Sequence, residues 1–155
     1  MAAGMGFRRV VLGMDGSAHS RRAVAFLTRM QPPRGGRVTV VRVVEPVRVP
    51  SMPLVPSGMR AQIAGQAEAA NRSLAAGARR QVEAAAAALA RAGWRTRAVV
   101  RSGVPLAELL AAVRAERADV LVLGARGAGA VTHFLLGSVA EAALKRAPVE
   151  VLIVK

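Results

Sequence analysis

Apolar positions along this chain keep changing their spacing, and each change predicts an element. RRVVLGMDGS begins with a short apolar run that breaks at glycine, the pattern of a strand and a turn. Ser17 is placed to cap a helix through AHSRRAVAFLTRM, in which Ala23, Phe26, Leu27 and Met30 recur at helical spacing. QPPRGG ends that helix. VTVVRVVEP is then a nearly continuous β-branched run, broken only by Arg42, as expected of a strand buried on both faces of a parallel sheet.

The proline-rich PVRVPSMPLVPSG reads as a surface loop. From about Met59 to Ala92 an alanine-rich helix carries Ile63, Ala67, Ala70, Leu74, Val82 and Leu89 along one side. Gly65 and Gly77 weaken its middle, so a break is expected there. TRAVVRSG is a third, more polar strand, suited to a sheet edge. VPLAELLAAVRAERA is helical with Pro105 in its first turn, and DVLVLG is a fourth buried strand. SVAEAALKRA is a short helix stopped by Pro148, and VEVLIVK is the last strand.

Strands and helices thus alternate through five strands with no repeat and no linker. Alternation of this kind implies a parallel sheet with helices on both faces, and right-handed crossovers leave few topologies. The expected class is a doubly wound α/β fold. At 155 residues it fits one domain, residues 1–155.

Composition narrows the chemistry. Apolar residues make up 53% and aromatic ones 3%, so the core has to be built from Ala, Val and Leu. Without cysteine there are no disulfides and no thiolate chemistry. No apolar run approaches the roughly 20 residues of a membrane span. MAAGMGF is too short for a signal peptide, and a soluble cytoplasmic protein with no membrane partner is expected. The 23 basic residues outnumber the 9 acidic ones, for a net charge of +14, and only Lys145 and Lys155 are not arginine. Such a field attracts nucleic acid and anionic ligands. The arginines are nevertheless scattered along the chain, and the only aromatics are Phe7, Phe26, Trp94 and Phe134. Charge alone therefore reads as a compositional habit, and nucleic acid is not the expected partner.

Two strands end in glycine punctuation, the first at GMDGS (Gly13 to Ser17) and the fourth at GARG (Gly124 to Gly127). In open α/β sheets ligands bind beyond the carboxyl ends of the strands, where strand order reverses. Ser138 and Glu141 have the spacing of a capping box, which predicts Ser138 as the cap of the last helix, just after Gly137. Backbone N–H groups at a helix start attract phosphate. Asp15 is one acceptor for ribose hydroxyls or an adenine amine. Two readings stand side by side here, a nucleotide cradle and an ordinary turn. The Walker A spacing is absent, and GxGxxG fails because Thr132 holds the third glycine position.

Gly124-x-x-Gly127, nine residues, then Gly137-Ser138 resembles the G-2x-G-9x-G-(S/T) motif of the universal stress protein family, ATP-binding type. The similarity covers the whole chain: VVLGMDGSAHSRRAV resembles the family's first strand, Asp loop and helix, and LLGSVAEAALKRAPVEVLIVK its closing helix and strand. This resemblance implies a five-stranded parallel sheet in the order 3-2-1-4-5. It also implies ATP, with ADP or AMP as alternatives, held by the main chain of Val43 and by Asp15, Gly124, Gly127, Gly137 and Ser138. By the same analogy Leu123 and Val139 line the site; Arg126, between two motif glycines, reads either as a phosphate contact or as a solvated arginine. Two departures stand out. Arg42 occupies a position where family members often carry His, and Gly129 and Ala130 replace serines common after the second glycine.

The implied role is a nucleotide-binding regulatory module of stress responses. The alternative, an enzyme that hydrolyses ATP slowly or transfers its phosphoryl group, needs cations around the γ-phosphate and a residue to orient the nucleophile. Asp15 is the lone carboxylate in the two loops. His19, read as a helix-surface residue, and His133, read as a loop residue, are too few for a metal site. Mg²⁺ would arrive with the nucleotide, coordinated mostly by phosphate and water. Finally, VEVLIVK is apolar on both faces, with Val149, Val151 and Ile153 on one and Leu152 and Val154 on the other. At a sheet edge it is an open template, and a homodimer through strand 149–154 is expected, as is common in the family.

Overall fold

The computed structural model describes residues 6–127 and 136–155; Gly129, Ala130, His133 and Phe134 lie outside them. The elements run β1 (Arg9–Met14), α1 (Ala18–Arg29), β2 (Arg37–Val44), α2 (Ser57–Arg91), β3 (Arg95–Ser102), α3 (Pro105–Ala115), β4 (Val120–Gly124), α4 (Ser138–Arg146) and β5 (Glu150–Val154). All four strand pairings are parallel, and the sheet order is β3-β2-β1-β4-β5, as the resemblance implied.

Strict alternation along the central strands splits the core into two layers. Leu12, Val38, Val40, Val120 and Val122 face α1 and α2 and pack with Leu27, Val82, Leu89 and Trp94. Val11, Val41 and Leu121 face the other way, onto Leu109, Val113 and Ala143 of α3 and α4. Trp94 is 4% exposed, and its indole N–H donates to the Leu27 carbonyl at 3.1 Å, so this large ring is buried with its polar atom satisfied.

α2 is a single unbroken helix of 35 residues, contrary to the break expected at Gly65 and Gly77. At 1.5 Å per residue it is about 50 Å long, whereas an eight-residue strand spans about 27 Å. Only its second half covers the sheet, and its buried residues run from Ala78 to Leu89. The expected apolar side is therefore only partly used, and Leu74 is 46% exposed. Two helical glycines cost roughly 1 kcal/mol each relative to alanine, too little to break a helix anchored by five buried residues. Asn71 ties the overhanging half to the proline-rich loop, accepting from the Val47 N–H at 2.7 Å and donating to the Val47 carbonyl at 3.0 Å.

The helix starts follow different rules. Ser17 caps α1 as expected, its hydroxyl accepting from the Ser20 N–H at 3.1 Å. At α4 the expectation is overturned. Gly137 is the capping residue, Ser138 is already helical, and no side chain among the described residues caps the end. Glu141 turns instead to Lys145, whose Nζ lies 2.7 Å from its carboxylate, so the capping box does not form.

At the opposite pole Asp119 joins β1 to β4. Its carboxylate accepts from the N–H groups of Arg8 and Arg9 at 2.9 and 2.8 Å and from the Arg9 guanidinium at 3.1 Å. Partial burial pushes its pKa upward, but those hydrogen bonds and the Arg9 charge outweigh it and hold the carboxyl below its usual value. A carboxylate depressed in the folded state adds stability above its unfolded pKa, and that stability is lost as pH falls through the folded value. Asp119→Asn is expected to lower stability at pH 7 by about 1 kcal/mol or less, the side chain being a third exposed. Urea titrations between pH 2 and 7 test this: the difference between variant and wild type should vanish at the acid end.

Candidate functional site

α1 and α2 cover one face and α3 and α4 the other, so the chain reverses its winding between β1 and β4. β1 pairs with β4 at three positions only, from Val10 opposite Val120 to Leu12 opposite Val122. β1 ends at Met14 opposite Arg42, while β2 runs on to Val44 paired with β3 alone. A crevice of about 660 Å³ opens where these strands part. That volume suits a nucleotide-sized ligand.

All nine residues singled out in the sequence line this crevice. Asp15 and Val43 come from the ends of β1 and β2, Leu123, Gly124, Arg126 and Gly127 from β4 and its loop, and Gly137, Ser138 and Val139 from the start of α4. Leu109 and Leu123 form an apolar floor, and Gly13 makes room for it: a Cβ there would lie 2.5 Å from Leu123 Cδ2.

Hydrogen bonds fix the two loops against each other. Asp15 Oδ1 accepts from the Ser17 N–H at 2.9 Å, and the Ser17 hydroxyl donates to the Arg126 carbonyl at 3.1 Å. The Gly137 N–H donates to the Ala125 carbonyl at 2.7 Å, which brings the two ends of the β4–α4 connection together. The glycines then serve different purposes. A Cβ on Gly127 would lie 2.8 Å from Asp15 Oδ2, and one on Gly137 would lie 3.2 Å from the Gly127 nitrogen, so both keep bare backbone at the crevice wall. Gly124 is different: its Cβ would meet the backbone of α1, 2.6 Å from the His19 carbonyl carbon and 2.7 Å from the Ser20 nitrogen. Its lack of a side chain is required for helix-to-strand packing.

The structure adds residues that spacing did not indicate. Arg42 lines the crevice, and its Nε and one terminal nitrogen are buried with no hydrogen-bond partner among the described residues. Glu45, Leu74, Pro105 and Glu141 complete the wall. The signal for Leu74 was present as helical periodicity but pointed to core. His19 is half-buried beside Gly124, its Nδ1 buried with no hydrogen-bond partner among the described residues, and so is more enclosed than a surface helix position suggests. Among the described residues no three or more His, Asp or Glu cluster as metal ligands, and no helix is long and apolar enough to cross a membrane.

Residues 6–155 match the universal stress protein family, and the chain belongs to it. A relative from Thermus aquaticus, the universal stress protein in QAH/OAS sulfhydrylase 3′ region, is 33% identical over 96% of this chain and 99% of its own. Among solved structures, the protein MJ0577 superposes with a TM-score of 0.81 at 19% identity, covering 96% of each chain. A universal stress protein in complex with cAMP superposes with a TM-score of 0.63 at 23% identity, covering 96% of this chain and 97% of that one.

The contact at Gly124 can be checked without any ligand. Gly124→Ala is expected to destabilise the protein by about 1–3 kcal/mol, because backbone on both sides must move. Gly58→Ala, where a Cβ meets nothing within 4 Å, should be neutral or slightly stabilising. Thermal melts of the two variants without nucleotide would expose the error if Gly124→Ala melts like wild type.

Proposed function

We propose that this protein is an adenine-nucleotide-binding regulatory module that takes ATP, with ADP or AMP as weaker alternatives. The observation that carries this reading is the start of α4. It has no side-chain cap among the described residues and opens onto a crevice walled by the bare backbone of Gly127 and Gly137. A helix start left uncapped by its own side chains offers N–H groups and a positive dipole end to an anion.

The residue roles proposed here are those the family resemblance implies, and the lining of the crevice by these residues supports them. The Val43 main chain receives adenine over the Leu109 and Leu123 floor, which Val139 extends. Asp15, oriented by the Ser17 N–H, receives ribose hydroxyls. Gly127, Gly137, Ser138 and Arg126 receive phosphates, with Gly124 holding α1 close behind them. Mg²⁺ would be held by phosphate oxygens and water, since the described residues provide no ligand cluster. The solved universal stress protein in complex with cAMP supports the adenine part of this reading.

The test is to purify the protein without added nucleotide, denature it and chromatograph what it releases, then titrate emptied protein with ATP and Mg²⁺. Expected are about one adenine nucleotide per chain and at least tenfold weaker binding by Gly127→Val, a loss of about 1.4 kcal/mol or more. ATP recovered intact fits a binding module, whereas ADP formed from supplied ATP at a steady rate would make the protein an enzyme. Failure of both release and titration would end the nucleotide reading.

We also propose a two-fold dimer through β5. This strand pairs with β4 on one side and has no described strand on the other, and its apolar residues are only half-buried. Sedimentation velocity should show twice the monomer mass for wild type and a monomer for Val151→Glu. A monomeric wild type at micromolar concentration would refute the dimer.

A further inference from the structure

We propose that the pole of the sheet opposite the crevice binds the phosphate backbone of double-helical nucleic acid, without regard to base sequence. In a parallel sheet wound this way every strand starts, and every helix ends, at the same pole. That geometry gathers arginines that are far apart in the chain. Arg9, Arg37 and Arg95 open β1, β2 and β3 and are direct partners across the sheet, Arg9 beside Arg37 and Arg37 beside Arg95. Adjacent strands lie about 4.8 Å apart, so three arginines occupy a row roughly 10 Å wide.

The row is fixed by main-chain hydrogen bonds, the Arg37 N–H to the Arg8 carbonyl at 2.7 Å and the Arg95 N–H to the Gly36 carbonyl at 3.0 Å. Arg34 and Arg91 join it from segments that pack on each other. A Cβ on Gly93 would lie 3.3 Å from Pro32 Cγ, and one on Gly36 3.1 Å from Trp94 Cζ3. Arg8, Arg9, Arg34, Arg37, Arg91 and Arg95 are all exposed. Asp119 pairs with Arg9 and Glu116 with Arg97, but among the described residues no ion pair reaches Arg34, Arg37, Arg91 or Arg95.

Helix dipoles explain part of this charge, since cations near helix ends such as Arg29, Arg91, Arg114 and Arg146 are favourable there. They do not explain Arg9, Arg37 and Arg95. They stand at strand starts as adjacent like charges; Asp119 offsets Arg9, but Arg37 and Arg95 have no ion pair among the described residues and repel unless an anion lies between them. A polyanion with closely spaced charges relieves that repulsion, and planar guanidinium forks match phosphate oxygens.

The chemistry of the face narrows the partner. Its rings are Trp94, buried with its N–H satisfied, and Phe7, half-buried against the core, so unpaired bases find no exposed stacking platform. The most exposed large apolar side chains, Leu54 and Val104, lie in connections at the other end of the strands, and at this pole Leu144, in the last turn of α4, is a single exposed leucine, so a bilayer finds little apolar surface to anchor on. A duplex, with stacked bases inside and phosphates outside, asks for cations alone.

Fluorescence anisotropy with a labelled duplex DNA of arbitrary sequence, in NaCl from about 50 to 200 mM, tests the proposal. Wild type is expected to bind with a log–log salt slope of about −3 to −5, as for a handful of phosphate contacts. Arg37→Gln with Arg95→Gln should weaken binding about tenfold at the low-salt end and reduce the slope by about 2. Arg48→Gln with Arg60→Gln removes the same charge away from the row and should cost less than about threefold. Arg37→Lys with Arg95→Lys should keep most of the slope, and circular dichroism melts check that every variant is folded. Equal weakening by the two glutamine pairs would overturn the proposal, as would absence of salt-dependent binding. So would a preference for anionic phospholipid vesicles or polyglutamate over duplex at the same salt. Gly127→Val should leave duplex binding unchanged, which separates this face from the crevice.

Discussion

The pairing of β1 with β4 is the constraint on which both ends of the molecule depend. It comprises three residue pairs, all buried, at the point where the direction of winding reverses. Towards the carboxyl ends the two strands lead to helices on opposite faces, and the gap between those helices is the crevice. Towards the amino ends Asp119 binds Arg8 and Arg9 and closes the junction. Sliding β4 by one residue against β1 would turn its side chains over, moving Leu121 to the α1 and α2 side and Val120 and Val122 to the α3 and α4 side. Both faces are buried, so the cost of such a shift is misfit rather than exposure: each side chain would enter a layer packed for another, typically about 1–3 kcal/mol apiece.

The glycines of the β4–α4 region show how one composition serves separate ends. Gly124 is needed by the fold, because the backbone of α1 lies where a Cβ would be. Gly127 and Gly137 keep bare backbone at the wall of the crevice, facing Asp15 and each other. A spacing pattern alone cannot separate these roles, since each is a shortage of space with a different neighbour. The same close packing makes the site a product of the fold: the floor under it is Leu109 and Leu123, and both belong to the core beneath α3.

Much of the architecture was legible in the chain. The β-branched runs marked β2 and β4, Ser17 marked the start of α1, and the polar third strand marked an edge. Local patterns failed where a remote contact or its absence decided the outcome. α2 stayed whole through Gly65 and Gly77 because its buried second half anchors it. Ser138 did not cap α4 because Gly137 already holds the capping conformation and Glu141 is taken by Lys145. The nine crevice residues were found through a motif, whereas Arg42, Glu45 and Leu74 reach the same wall from β2, its following loop and α2, with no spacing to connect them.

The order of strands and helices, the burial of apolar residues on both faces of the sheet and the residues that punctuate the loops are all readable along the chain. These follow from short-range spacing, turn chemistry and the alternation of side chains along a strand. Only the tertiary structure decided which distant residues meet. Twenty-three basic residues look dispersed when read along the chain, yet parallel winding sends every strand start to one pole and sets Arg9, Arg37 and Arg95 side by side. Strand order is a long-range property, fixed by which apolar faces bury each other. No local pattern records that three arginines 28 and 58 residues apart along the chain from Arg37 to Arg9 and to Arg95 will share one row.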